Sequence, residues 1–105
     1  MREIKEELVT ISGELDRDTR HNERLAQEVE QAYIRFKRLD WGDTHPSDKP
    51  LNDQALETGA RIVAKYQTST EPIFIINSDE VVRYDQTTGE MIVKRITSIM
   101  YCHEY

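Results

Sequence analysis

Cysteine is nearly absent from this chain: Cys102 stands alone among 105 residues, so no internal disulfide can staple the fold. Long apolar runs are missing too. The longest, at 73–76, has four residues, against the roughly 20 that a membrane-spanning helix needs. The opening MREIKEEL lacks the apolar stretch of a secretory signal, and a cytoplasmic protein is expected. Glycine is sparse and scattered, at Gly13, Gly42, Gly59 and Gly89, which leaves no glycine-rich phosphate cradle, dinucleotide fingerprint or nucleophile elbow. His21, His45, His103 and Cys102 show none of the close paired spacings of a zinc site, and Cys102 and His103 would point to opposite faces of a strand. The carboxylates Asp40 and Asp43, like Asp79 and Glu80, sit among turn formers without an apolar setting to shift a pKa. No cofactor, metal or catalytic set is expected, and the chain reads as a binding protein and not an enzyme.

Positive charge is also in short supply. The net charge is −6, and the excess sits in the middle: residues 40–59 hold Asp40, Asp43, Asp48, Asp53 and Glu57 against Lys49 alone. Such a segment argues against a direct grip on nucleic-acid backbones. An acidic patch suits a basic partner instead, including a nucleic-acid-binding enzyme whose cleft it occupies. Trp41, Asp43, Asp48, Asp53 and Glu57 are the candidate partner-binding residues, although a lone tryptophan after a helix more often lids a core, and acids in a loop are more often simply solvated.

What the chain has in quantity is periodic apolar residues. From Ile4 they fall at steps of four and three: Ile4, Leu8, Ile11, Leu15, then Asp18 and Asn22, then Leu25, Val29, Ala32, Phe36 and Leu39. Read as heptads, this predicts a helix over residues 2–39 about 57 Å long. A small domain cannot cover so long a stripe, so Ile4, Leu8, Ile11, Leu15, Asn22, Leu25, Val29 and Phe36 are expected to form an oligomer seam, with a dimer as the expected number. The spacing predicts a continuous or kinked helix. The alternative is a break near 16–22, where Asp18 and Asn22 interrupt the stripe and Thr19 with Glu23 offers a fresh start.

The expected fold is α+β, with an oligomerising helical segment at 1–39 and a small α+β domain at 40–105. After the turn formers at 40–46 a short helix is predicted at 47–58, started by Ser47 or Asp48, admitting Pro50 in its first turn, buried through Leu51, Ala55 and Leu56, and stopped by Gly59. Strands are expected at 61–68, 73–76, 81–85 and from 90 to about 101, with turns at 68–72 and 77–79 and a bulged hairpin through Gly89, giving a four-stranded antiparallel meander. The slipped alternation between Val93 and Ile96 suggests a bulge or bend in the last strand.

Residues 40–78 and 96–105 resemble a family of short proteins of bacterial phages and mobile elements that has no settled activity. The resemblance is carried by Asp40-Trp41-Gly42-Asp43, Asn52, Ala55-Leu56 before Gly59, Arg61-Ile62, Tyr66-Gln67-Thr68-Ser69, the apolar run at 73–76, Ile96-Thr97, Ile99 and Glu104-Tyr105. An additional hairpin at about 79–95 sets this chain apart. The resemblance implies a mobile-element setting, in which small acidic proteins act against bacterial defences. The expected function is stoichiometric inhibition of a defence effector such as a CRISPR or restriction complex. One alternative is an oligomeric sponge for a nucleotide immune signal, with Arg61, Lys65 and Arg83 on phosphates and Tyr66 stacking a base. The other is a structural or regulatory oligomer of the element.

Overall fold

The computed structural model describes residues 2–105, ordered as β1 (Leu8–Ile11), α1 (Gly13–His21), α2 (Glu23–Lys37), α3 (Lys49–Thr58), β2 (Ile62–Tyr66), β3 (Ile73–Tyr84), β4 (Met91–Tyr101) and a closing 3-10 turn (Cys102–Glu104). The long N-terminal heptad helix does not exist. In its place stand a strand and two short helices, because Ser12 and Asn22 cap two separate helices. Ser12 accepts a hydrogen bond from the Leu15 N–H at 3.2 Å and starts α1. Asn22 ends α1 and accepts from the Leu25 N–H at 3.1 Å, starting α2. The break therefore falls at Asn22. Thr19, the alternative starter, instead donates to the Asp16 carbonyl.

The sheet is mixed, in the order β1-β4-β3-β2, and this overturns the purely antiparallel meander. β2, β3 and β4 are antiparallel neighbours, and β1 adds parallel to β4 with Leu8 opposite Ile96 and Ile11 opposite Ile99. The expected turn at 77–79 is absent. β3 runs through it, because Asn77 satisfies its side chain by donating to the Lys5 carbonyl and the Thr97 hydroxyl. The bulge expected in the last strand is not there: Val93 to Ile96 pair in regular register, and the register shift falls in β3, between Val81 and Arg83, opposite Ile92 and Val93.

Period-two alternation divides the sheet. Ile62, Ala64 and Tyr66, with Ile73 and Ile75, and with Ile99 and Tyr101, form one buried face. Leu15, Leu25, Val29, Ala32 and Phe36 belong to the same core, which also takes in Ile4, Trp41 and Ala55. The residues expected to form an oligomer seam are thus covered within the chain, apart from Leu8 and Ile11 on exposed β1 and Asn22 at its cap. α3 ends where Gly59 takes a left-handed φ of 78°, and it buries Asn52 and Ala55 while Leu51 lies 58% exposed.

Two backbone positions frame the 40–46 segment. Leu39 adopts a φ of 66°, a conformation usually left to glycine, while its side chain packs on the core. Gly42, at φ 61°, passes so close to Tyr66 that a Cβ would strike the tyrosine ring and the Lys65 carbonyl. That approach lets Asp43 N–H donate to Lys65 O at 2.8 Å, on the outer edge of β2.

Candidate functional site

β2 pairs with β3 only as far as Asn77, and β1 pairs with β4 only from Ile96 onward. Beyond those points 78–84 and 91–95 pair with each other alone, so the hairpin leaves the body as a two-stranded arm about 20 Å long at 3.3 Å per residue. Its loop is built by Asp85, whose carboxylate accepts from the Thr87 and Thr88 N–H groups and whose carbonyl accepts from Gly89 N–H at 2.8 Å. Pairing gathers most of the arm's apolar side chains on one face, where Val81 meets Val93 and Tyr84 meets Met91, while Ile92 shares the other face with Glu80, Arg83 and Lys94. Val81, Val82, Tyr84, Met91, Ile92 and Val93 are all exposed, with Tyr84 and Met91 opposite each other at 57% and 58%. Asp79, Glu80, Asp85 and Glu90 outnumber Arg83 and Lys94 around this surface. Contiguous exposed apolar surface rimmed by charge marks an interaction site.

The base of the arm is braced by Arg95, whose side chain is 13% exposed. Its guanidinium donates to the Asn77 side chain and to the Gly59 and Ala60 carbonyls, the last two at 2.9 and 2.7 Å. The network continues through Asn77 to Thr97, whose hydroxyl donates to Glu6. Glu6 also accepts from the Tyr33 hydroxyl, and burial together with that bond pushes the Tyr33 pKa up to about 12. Among the described residues no buried side-chain nitrogen or oxygen lacks a partner. The network is therefore a satisfied brace between the N-terminal segment, β4 and the end of α3.

A second feature is a groove of about 620 Å³ between the 43–48 segment, the start of α3 and the face of β2 that carries Val63 and Lys65. Val63, Phe74 and Leu51 give it an apolar lining, Asp43 and Asp48 supply acids, and Arg61 and Lys65 supply cations. Tyr105 stands edge-on to Phe74 at 5.4 Å, and the Arg61 guanidinium lies 5.2 Å over its ring.

The sequence-chosen residues are thus sorted by position. Asp43 and Asp48 share the groove, while Trp41, Asp53 and Glu57 lie elsewhere. Trp41 is buried, edge-on to Phe36, with its indole N–H donated to Asp53 at 2.9 Å. Glu57 sits 3.8 Å from Arg2. Of the nucleotide candidates, Arg61 and Lys65 meet in the groove. Arg83 is on the arm, and Tyr66 is buried with its hydroxyl donated to the Asp40 carbonyl, where it cannot stack on a ligand. Burial raises the Tyr66 pKa. The six apolar arm residues were not foreseen as a site. Their signal was adjacent apolar residues, Val81-Val82 and Met91-Ile92-Val93, in two strands at the end of a small sheet.

Glu14, His103 and Glu104 bring one possible metal-ligating atom each within 4.8 Å of one another, all exposed. Their present bonds account for them: His103 pairs with Glu14 at 3.3 Å, and Glu104 accepts from the Ser12 hydroxyl at 2.8 Å. No helix among the described residues is long and apolar enough to cross a membrane. Comparison with family models, curated proteins and solved structures finds no match.

Proposed function

We propose that this chain is a non-enzymatic binding protein of a phage or mobile element, acting in the bacterial cytoplasm by stoichiometric inhibition of a defence effector such as a CRISPR or restriction complex. The observation that carries this reading is the apolar arm. Six large apolar side chains are held out from the body on a ribbon whose base is braced by a half-buried arginine, an arrangement that costs solubility unless a partner covers it. The arm is also the segment that departs from the family the chain resembles, so a new surface has been added to a shared body. Its acidic rim suits an effector whose apolar pocket is ringed by the basic residues that otherwise meet nucleic acid.

The test is cleavage of target DNA by purified CRISPR and restriction effectors, titrated with this protein. Inhibition should saturate at one chain per binding site. Tyr84→Asp combined with Met91→Asp should weaken it by at least about 100-fold, the loss of roughly 3 kcal/mol expected of interface anchors. Both side chains are exposed, so the melting temperature should hold. Inhibition undiminished by the double substitution would exclude the arm, and no inhibition across the panel would remove the reading.

The groove supports a second reading, a sponge for a nucleotide signal, because Arg61 and Lys65 adjoin the aromatic pair Phe74 and Tyr105. A bound cyclic oligonucleotide would then raise stability by about 2.7 kcal/mol at one hundred times its dissociation constant. Arg61→Ala should abolish that gain, whereas Arg83→Ala, on the distant arm, should leave it intact.

A further inference from the structure

The two edges of the sheet are treated in opposite ways. On β2 the outward groups are closed one by one. The Asn52 side chain accepts from Val63 N–H and donates to Val63 O, the Thr44 hydroxyl accepts from Lys65 N–H, Asp43 N–H donates to Lys65 O, and the Asp43 carboxylate accepts from Gln67 N–H. Such closure is how a sheet avoids pairing with another chain. On β1 nothing comparable is present. All four residues, Leu8 to Ile11, are exposed, and three of them are large, apolar and of the type that favours strands.

The ladder phase shows which groups are free. Ser12 N–H donates to Ile99 O at 2.9 Å, and in a parallel ladder that places Leu8, Thr10 and Ser12 with their amides toward β4. Val9 and Ile11 therefore turn their N–H and C=O groups outward.

The geometry points to β1 as the joint between two copies of this chain, paired antiparallel across a twofold axis at Thr10 to make one continuous eight-stranded sheet. In that register Val9 of each copy faces Ile11 of the other, and the outward amides and carbonyls of both strands close four hydrogen bonds. Side chains keep to their own faces, so the two Val9–Ile11 pairs lie on the helix side. There they extend an existing hollow of about 250 Å³ whose walls are Val9, Ile11, Val29, Tyr33 and Ile99, with Thr19 and one charged residue, Glu30, also lining it.

Charge selects a second copy over another strand. A twofold contact sets each residue near the axis against itself or its near neighbours, so any charge there would meet its like. In a chain of net charge −6, residues 8–13 carry no charge at all. The flanking carboxylates are engaged within the chain: Glu7 accepts from Arg95 N–H at 3.0 Å, and Glu14 pairs with His103.

Sedimentation equilibrium of the full chain should give twice the 12.3 kDa protomer mass. Val9→Lys with Ile11→Lys should give a folded protein of half that mass. Thr10→Cys in a Cys102→Ser background should form a disulfide-linked dimer on mild oxidation, since directly opposed residues that share no hydrogen bonds stand about 4.5–5.5 Å apart at Cβ. Should the lysine variant fail to fold, amide exchange of the unaltered protein decides: Val9 and Ile11 must gain protection with concentration, while Leu8 and Thr10 are protected throughout. A monomer at about 100 µM would overturn the proposal. So would a dimer that survives both lysines, or Val9 and Ile11 amides that exchange freely at every concentration.

Discussion

His103 stacks on Tyr101 at 5.1 Å and pairs with Glu14, so the imidazolium is favoured and its pKa lies above the ordinary 6.5. A raised folded-state pKa gives stability that is complete below 6.5 and lost as pH rises through the folded value. Glu28 is shifted the other way by donors from the Ser69 hydroxyl and N–H, and Asp40 by the Arg35 guanidinium, so their contributions are complete above the ordinary 4.5 and 3.8 and are lost in acid. Urea midpoints should therefore peak between those limits, and His103→Gln should flatten the decline above pH 6.5 while leaving the acid limb unchanged. Arg95→Ala is the most costly polar change foreseen: it leaves the Asn77 side chain and two carbonyls without their charged donor, at about 2–3 kcal/mol in urea unfolding. None of these partnerships could be read along the chain. Asn77-Ser78-Asp79 has turn chemistry, and Lys5, Thr97 and Arg95, all remote in sequence, turn Asn77 into a strand residue.

Short elements were legible where a local device defines them. Pro50 and Gly59 bound α3, and Gly89, at φ 73°, allows the tight hairpin. The N-terminal stripe misled because a spacing of three and four is also produced when a strand, a cap and two helices lay successive residues on one core. The interruptions at Asp18 and Asn22 were the true signal, and both are employed: Asn22 as a cap, Asp18 as the acceptor of the Tyr101 hydroxyl. Asn22→Ala should cost about 1 kcal/mol, and Asn22→Ser should restore most of it, measured by thermal unfolding. The arm behaves differently from every other element. A two-stranded ribbon is marginal alone, so its amides should exchange faster than those of residues 73–77, which lie between two strands. Binding of a partner should slow them selectively.

At the scale of the molecule one core joins the N-terminal residues to the last strand. Val29→Asp is therefore expected to unfold the chain and not merely to separate copies, and Phe36→Ala to cost about 3–5 kcal/mol, both seen by near-ultraviolet circular dichroism. The strand order has a temporal consequence. β4 lies between β1 and β3, so the sheet's penultimate position belongs to its last-made strand, and Leu8 finds Ile96 only after 87 intervening residues have been synthesised. A nascent chain must carry β1 unpaired until those residues have been made. Pairing so distant in sequence is slow to form and exposed to misassembly, so yield in the cell should depend on chaperone supply more than the small size of the protein would suggest.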